Sequence, residues 1–474
     1  MLAVNIAIIL GLGVLFIAVG YYLSRAVSTA DEFILGTGKL GVAMGSASLL
    51  AFWITGNTTL AAPEAAYTTG ILGAVGYGFL GGIAVILFAP IARRIHEVIP
   101  HGRTVGDFYS ARFGNTNYFV FLFFLLIYVF GILITQGIGG GVILEQVFGI
   151  PYLLAVVLSF VIVISYSMLG GFQSVTGVAF FQIILILVAV AGVVPYIFFR
   201  QGASNVYQGI LENNPDLLSL TLPAGLLFMF GGAMFGIGEV FMDNTFWQRA
   251  YAVRRDRLLP AFVISGIGWA FVPIAVSTLA FIALAEGLQP EQVNQVAPLV
   301  AQRYGGNFAS YMFLVVVWSA ILSTAAASLN AFASVILNDL VPSFRPNLGD
   351  PEQKRYGAII TVVVGVVALL LTLPQFTSML QMLIFIGVIN AAFIYPITLG
   401  LFWRRMTPTA ALLAGVVSPV VGYIVYFTVG SLQGIVASGW VSLLLCVGVS
   451  LAARQSFDWS ILHNYGRREV GDTE

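Results

Sequence analysis

Residues 47–67 read Ala47-Ser-Leu-Leu-Ala-Phe-Trp-Ile-Thr-Gly-Asn-Thr-Thr-Leu-Ala-Ala-Pro-Glu-Ala-Ala-Tyr67. Apolar residues precede and follow a centre of five weak helix formers, Thr55, Gly56, Asn57, Thr58 and Thr59. At mid-membrane depth, unwound backbone persists only where it lines a cavity or is buried in protein. The stretch therefore predicts a helix broken inside the bilayer, with freed carbonyls able to ligate a cation and with Asn57 and Thr58 placed to hold a polar solute. A tight helix crossing lubricated by small residues is the alternative reading.

The rest of the chain supplies the membrane. Of its 474 residues, 59% are hydrophobic and only 8% are charged, where soluble domains carry about a quarter charged residues. With 20 basic and 20 acidic residues the formal charge is zero, so no basic field points to nucleic acid. The single cysteine, Cys446, can form no internal disulfide. The apolar start, 1–22, lacks a positive n-region and a cleavage site, and reads as a retained first span.

A bilayer core takes about 20 apolar residues per helix. Such runs occur near 3–24, 41–62, 72–95, 117–148, 151–169, 174–199, 223–242, 259–285, 307–338, 357–373, 377–403, 409–429 and 432–452. Thirteen spans with the amino terminus outside and the carboxyl terminus cytoplasmic put all but Arg200 and Arg303 of the 20 basic residues on the inner side, as the positive-inside rule requires. The expected class is an all-α integral membrane protein of about 13 spans, multi-pass in the cell inner membrane. No catalytic cluster is expected: His96, His101 and His463 show no metal spacing, and no phosphate-binding Walker loop is present to use ATP.

The seventh span repeats the feature of the second. Phe230-Gly-Gly-Ala-Met-Phe-Gly-Ile-Gly-Glu-Val-Phe-Met-Asp243 holds four glycines before an acid. Two interrupted spans, each first in a run of five, imply an inverted 5+5 repeat with a binding site between the halves. The layout would be 1–40 for an extra span and loop, 41–200 and 201–405 for the repeats, and 406–474 for two terminal spans and a tail. Glu239 is a functional acid by default within a span, or else a solvated structural acid near the inner end. In the ninth span, the Ala320 carbonyl and the Ser323 and Thr324 hydroxyls can converge on one point if the helix bends. That oxygen set suits a hard monovalent cation, while back-bonding to their own helix is the bland alternative for the two hydroxyls.

Further stretches complete a pattern that covers nearly the whole chain: Tyr22-Leu-Ser-Arg25 with Asp31-Glu-Phe-Ile-Leu-Gly36, Thr104-Val-Gly-Asp-Phe-Tyr-Ser-Ala-Arg-Phe-Gly114, Tyr166-Ser-Met-Leu-Gly-Gly171, Trp247-Gln-Arg249, Asn338-Asp339 and Leu401-Phe-Trp-Arg-Arg-Met-Thr407. With residues 51–67 and the Ser323-Thr324 pair they resemble a solute:sodium symporter of the leucine-transporter fold, a group that includes bacterial proline, sugar, sialic acid and urea-type carriers. The resemblance implies secondary active transport by alternating access, and no enzyme activity. It also implies a sodium site at the Ala51 and Ile54 carbonyls, the Ala320 carbonyl and the Ser323 and Thr324 hydroxyls.

Departures from the family pattern are equally specific. Gly177, Val178 and Ala179 stand where many members carry Trp-Thr-Asp, and Ala326 and Ala327 where some carry serines. Loss of the carboxylate and the extra hydroxyls implies one sodium ion per cycle, with proton or weak coupling as the alternative. The expected solute wall is Thr55, Gly56, Asn57, Thr58, Gln136, Phe235, Glu239 and Asn390, with Gln136 equally able to serve as an interhelical hydrogen bond. No lysine or arginine is expected at mid-membrane depth, and the 239–249 segment resembles urea-type members. A neutral or zwitterionic solute, urea or an amino acid, is expected, carried by a monomer in contact with lipid. A passive channel or a sensor on the same framework is the remaining alternative; the tail after Arg454 is short and carries no kinase.

Overall fold

In the computed structural model the described residues are 2–35, 40–345, 348–377, 379–453 and 455–465. Lys39, Arg454, Arg467, Arg468 and both chain ends, used above for orientation, lie outside them. The helices in chain order are α1 (Leu2–Ser24), α2 (Ala30–Leu35), α3 (Val42–Trp53), α4 (Gly56–Val98), α5 (Val105–Phe113), α6 (Asn115–Gln146), α7 (Tyr152–Gln201), α8 (Ala203–Asn213) and α9 (Pro223–Met242). After these come α10 (Asn244–Ala252), α11 (Leu258–Ala285), α12 (Val296–Val335), α13 (Val341–Phe344), α14 (Asp350–Thr372), α15 (Met379–Phe402), α16 (Pro408–Thr428), α17 (Ser431–Ala453) and α18 (Ser460–Asn464). Among the described residues there is no strand, only an isolated bridge between Leu40 and Val253.

Among the described residues eleven helices are long and apolar enough to cross a membrane, where thirteen runs are predicted from the sequence. The difference lies in α4 and α7, of 43 and 50 residues. At about 1.5 Å per residue each is roughly twice as long as a ~30 Å bilayer core. Each also carries a glycine kink where the sequence separates two runs. Gly70 has φ 66°, and Gly171 has φ 51° beside Gly170. A β-carbon on Gly70 would fall 1.8 Å from the Leu217 carbonyl oxygen, so the kink is fixed by the loop packed against it.

The break predicted at residues 55–59 occurs, and a cap encodes it. Ile54 leaves the helix (φ −81°, ψ 92°) and Thr55 is the extended N-cap of α4. The Thr55 hydroxyl accepts from the Thr58 amide at 3.0 Å, and the Thr58 hydroxyl accepts from the Thr55 amide at 3.1 Å, a reciprocal capping box. The second predicted break is displaced. The glycine-rich stretch does not interrupt α9, which is helical throughout Pro223–Met242; the chain breaks after it, at Asp243, whose carboxylate accepts from the Thr245 amide at 2.7 Å. Packing explains the glycines instead: Gly238 lies against the Asn390 backbone, where a β-carbon would come within 2.3 Å of its carbonyl oxygen. The chain thus breaks twice, between α3 and α4 and between α9 and α10, in the two regions where the sequence places interrupted spans.

Burial is graded as a bundle in lipid demands. In α12 the most apolar window is 89% buried, against 22% in α1, so α12 is central and α1 is peripheral. α4 and α11 cross most closely at glycines: a β-carbon on Gly82 would sit 2.6 Å from the Gly266 oxygen, and one on Gly266 would sit 2.5 Å from the Gly82 oxygen. Small residues let membrane helices approach backbone to backbone in this way. At the end of the bundle that carries α5, the Arg112 side chain donates to the Gly400 and Met406 carbonyls at 3.0 and 2.8 Å and lies 3.9 Å from the centre of the Phe457 ring. Burial lowers its guanidinium to about 10.

Candidate functional site

The last turn of a helix leaves four carbonyls without intrahelical donors, and in α3 each can be traced. The Leu50 oxygen accepts from the Ile54 amide at 2.8 Å. The Thr55 and Gly56 amides, which would have served Ala51 and Phe52, are diverted to the Thr58 hydroxyl and to Gln136 Oε1. Two hydroxyls of α12 replace them: Ser323 donates to the Ala51 oxygen at 2.7 Å, and Thr324 donates to the Phe52 oxygen at 3.0 Å. The Trp53 oxygen accepts from Trp269 Nε1 at 2.6 Å and from the Thr58 hydroxyl at 3.2 Å.

Ser323 Oγ also lies 2.9 Å from the Ala320 oxygen. Ala51, Ala320, Ser323 and Thr324 are thereby brought together in the fully buried interior, without the bend in α12 that the sequence reading invokes. Ile54 is buried beside them, but the hydroxyl partner on this side is the Phe52 carbonyl, a residue the sequence reading omits. The donor set is all oxygen and carries no formal charge. It sits at a helix C-terminus, where the peptide dipoles favour a cation, so it fits a hard monovalent ion and offers no softer ligand.

Next to this group, past the two-residue break, is a cavity of about 110 Å³. Its wall takes Thr55, Asn57 and Thr58 from the break, Phe235 and Glu239 from α9, and side chains of α11, α15 and α17. The glycines at 231, 232 and 236 face it, so the glycine run in α9 makes room where the sequence suggested a break. Asn57 is 3% exposed, and its Oδ1 has no hydrogen-bond partner, an unspent acceptor at the wall.

Three of the eight predicted wall residues serve otherwise. Gln136 accepts from the Gly56 amide at 3.0 Å, an interhelical cap on α4, and Gly56 is turned toward it and toward Ile321. Asn390 is fully buried behind α9, away from the cavity, with both amide atoms unpartnered. Glu239 is 6% exposed, which excludes the solvated structural reading. Tyr128, which the sequence reading missed, places its hydroxyl 3.1 Å from Glu239 Oε1 and 2.9 Å from Asp243 Oδ2. The aromatic wall of Trp53, Tyr77, Phe228 and Trp269 was missed as well; in sequence such residues look like any apolar face.

A second cavity of about 270 Å³ lies at the α5 end, lined by Asp107, Tyr118, Asp339 and Tyr465 among others. It joins two of the sequence stretches singled out above. The Thr104 hydroxyl donates to Asp339 at 3.0 Å, and the Val105 amide donates to Asn244 Oδ1 at 3.0 Å. Burial raises Asp107 above the usual carboxylate range.

Known proteins resemble this chain over most of its length. The model of the sodium:solute symporter family matches residues 33–418. The chain is 26% identical over 431 residues to the osmoregulated proline transporter of Bacillus subtilis, covering 87% of each protein. It is 24% identical over 464 residues to a probable urea active transporter of Schizosaccharomyces pombe, covering 89% of this chain and 69% of the relative. Among solved structures, a substrate-bound, outward-open sodium-coupled sialic acid symporter superposes with a TM-score of 0.76 at 18% identity, over 95% of this chain and 98% of that one.

Proposed function

Because the chain belongs to the sodium:solute symporter family, we propose that the oxygens of Ala51, Ile54, Ala320, Ser323 and Thr324, with the Phe52 carbonyl, hold its coupling sodium ion, and that the adjacent cavity holds a small polar organic solute. The chain is a transporter that couples solute entry to sodium. The observation that carries the site assignment is the pairing of two α12 hydroxyls with the two α3 carbonyls that the helix break sets free. Binding an ion there turns each hydroxyl proton away and replaces two hydrogen bonds with one ion shared by α3 and α12.

Coupling follows from adjacency. The ion ligands end at Ile54 and the cavity wall resumes at Thr55, so an ion that fixes the end of α3 also fixes Asn57 and Thr58. A solute on those residues and an ion on that helix end stabilise each other reciprocally. The solute wall is proposed as Thr55, Asn57, Thr58, Phe235 and Glu239, with Gly56 and Gln136 holding the break in shape and Asn390 supporting α9 from behind.

Stoichiometry is proposed as one sodium per cycle. Ala179, Ala326 and Ala327 are buried methyl groups and cannot restore an ion's lost hydration. Splitting α4 and α7 at their glycine kinks supports thirteen crossings; the amino terminus outside, the carboxyl terminus cytoplasmic and the inner membrane are proposed with them, the orientation from the distribution of basic residues. The repeat boundaries near residues 41, 201 and 405, and function as a monomer, belong to the same reading. In proteoliposomes, an inward sodium gradient is expected to drive the solute above its equilibrium level. Uptake that only equilibrates, with or without sodium, would instead identify a channel.

A further inference from the structure

The charge balance of the solute cavity is one-sided. Glu239 lines it and is 6% exposed, with one carboxylate oxygen held by Tyr128. Among the described residues no lysine, arginine or histidine lines the cavity, and Glu239 appears in no ion pair. The nearby cation, Arg249, lies over the Phe52 and Phe172 rings at 5.2 and 5.7 Å and donates to the Ser48 and Thr245 carbonyls. A carboxylate so placed, desolvated and held by a phenol with no cation beside it, is unfavourable until a positive group reaches it.

Aromatic rings make up much of the remaining wall. Tyr77 lies nearly parallel to both Trp269 and Phe228, with ring centroids 6.1 and 6.5 Å apart. At those separations the rings are slipped past one another, and all three line the cavity. Trp53 continues the row at 5.8 Å from Trp269, and Phe235 stands across from it on α9. Electron-rich ring faces attract cations and are indifferent to anions.

The place where a carboxylate would be welcome is largely taken. A helix N-terminus draws anions through its free amides, and the N-terminus of α4 opens beside the cavity. Of its first four amides, Gly56 is bound by Gln136 Oε1, Thr58 by the Thr55 hydroxyl and Thr59 by the Thr55 carbonyl, which leaves that of Asn57.

We propose that the cavity selects a small organic cation of ammonium or guanidinium type, paired with Glu239 and bedded on the aromatic faces, and that it rejects solutes carrying a carboxylate. This rests on the reading that the cavity is the solute site, and it narrows the neutral or zwitterionic class expected from the sequence. Tyr128 and Asp243 are positioning residues in this scheme: the phenol bridges the two acids and aims the free oxygen of Glu239 at the cavity.

Two pairs of near-isosteres isolate the charge: guanidinium against urea, and tetramethylammonium against tert-butanol. Each is added, well below denaturing concentrations, to the purified full-length transporter in sodium buffer, and thermal stabilisation is measured. The charged member of each pair is expected to protect and its neutral partner is not. Glu239→Gln should raise the cation concentration needed by tenfold or more. Protection by urea or proline with none from the cations overturns the proposal, as does absence of protection by either cation, or a Glu239→Gln variant that responds like wild type. If that variant does not fold, the wild-type pairs decide alone, with fluorescence of Trp53 and Trp269 in the cavity wall as a second readout. The sodium response of the same protein without solute reports separately on the ion site, so the two readings can fail independently.

Discussion

Replacing both Ser323 and Thr324 by alanine tests the ion site most directly. The Ser323 hydroxyl is the hydrogen-bond partner of the Ala51 oxygen, and the Thr324 hydroxyl that of the Phe52 oxygen. Each truncation strands a buried carbonyl at a cost of about 1–3 kcal/mol. The two positions share one helix end, so the costs will not simply add. Sodium adds a second, separable quantity. At a concentration a hundredfold above its dissociation constant, an ion stabilises the native state by about 2.7 kcal/mol; a variant that binds a hundredfold more weakly keeps only about 0.4 kcal/mol. The double variant is therefore expected to melt lower without sodium and to lose nearly all of the sodium-dependent rise in melting temperature, together with sodium-driven uptake in proteoliposomes. Thr324→Ser, which keeps the hydroxyl, should retain most of both. A double variant whose sodium response matches wild type would show that these oxygens hold no ion. So would one that is merely less stable, with an unchanged sodium increment.

Sodium activation of transport should be hyperbolic, with a Hill coefficient near 1, since Ala179, Ala326 and Ala327 offer no second ligand set; clear sigmoidicity would refute this, and activation by a pH gradient without sodium would replace sodium by protons. A cytoplasmic reporter fused after Glu474 should be active, whereas activity of a periplasmic reporter alone at that point would refute an odd number of crossings. Gly82→Leu should lower thermal stability by more than the ~1–3 kcal/mol usual for overpacking, because even a β-carbon there meets the α11 backbone at 2.6 Å; wild-type melting would mean that the two helices can part freely.

The fold was legible because its signals reside in side-chain chemistry. Apolar runs mark the helices, and Thr55 to Thr59 mark the break, with the extra information, visible only in the structure, that Thr55 and Thr58 form a reciprocal cap. Ser323 and Thr324 were legible for the same reason. Phe52 was not, since a backbone ligand leaves no trace in the residue that carries it. The glycine run of α9 was misread because glycine serves equally to break a helix and to make room beside one; only Gly238 against Asn390 and the glycines facing the cavity separate the two uses. Gln136 had two open readings, and the Gly56 amide selects the capping one. Tyr77, Phe228 and Trp269 escaped notice because an aromatic residue that faces a cavity has the same helical spacing as one that faces lipid.

The crossing of Gly82 on Gly266 restricts how the solute cavity can open. Where side chains interdigitate, helices can slide by exchanging rotamers. Where one backbone rests on another, there is nothing to exchange, and relative motion means losing the contact outright. α4 and α11 therefore travel as a single plank, and the cavity wall they contribute, Tyr77 and Trp269, keeps its shape as long as that contact holds. The opposite wall is lined by Phe235 of α9, Leu383 of α15 and Leu432 and Ile435 of α17, and behind it α9 rests on α15 in the same manner, Gly238 on the Asn390 backbone. Motion that keeps both backbone contacts separates the α4–α11 pair from the α9–α15 pair, which meet through side chains, Met229 against Gly76 and Leu72 against Gly225.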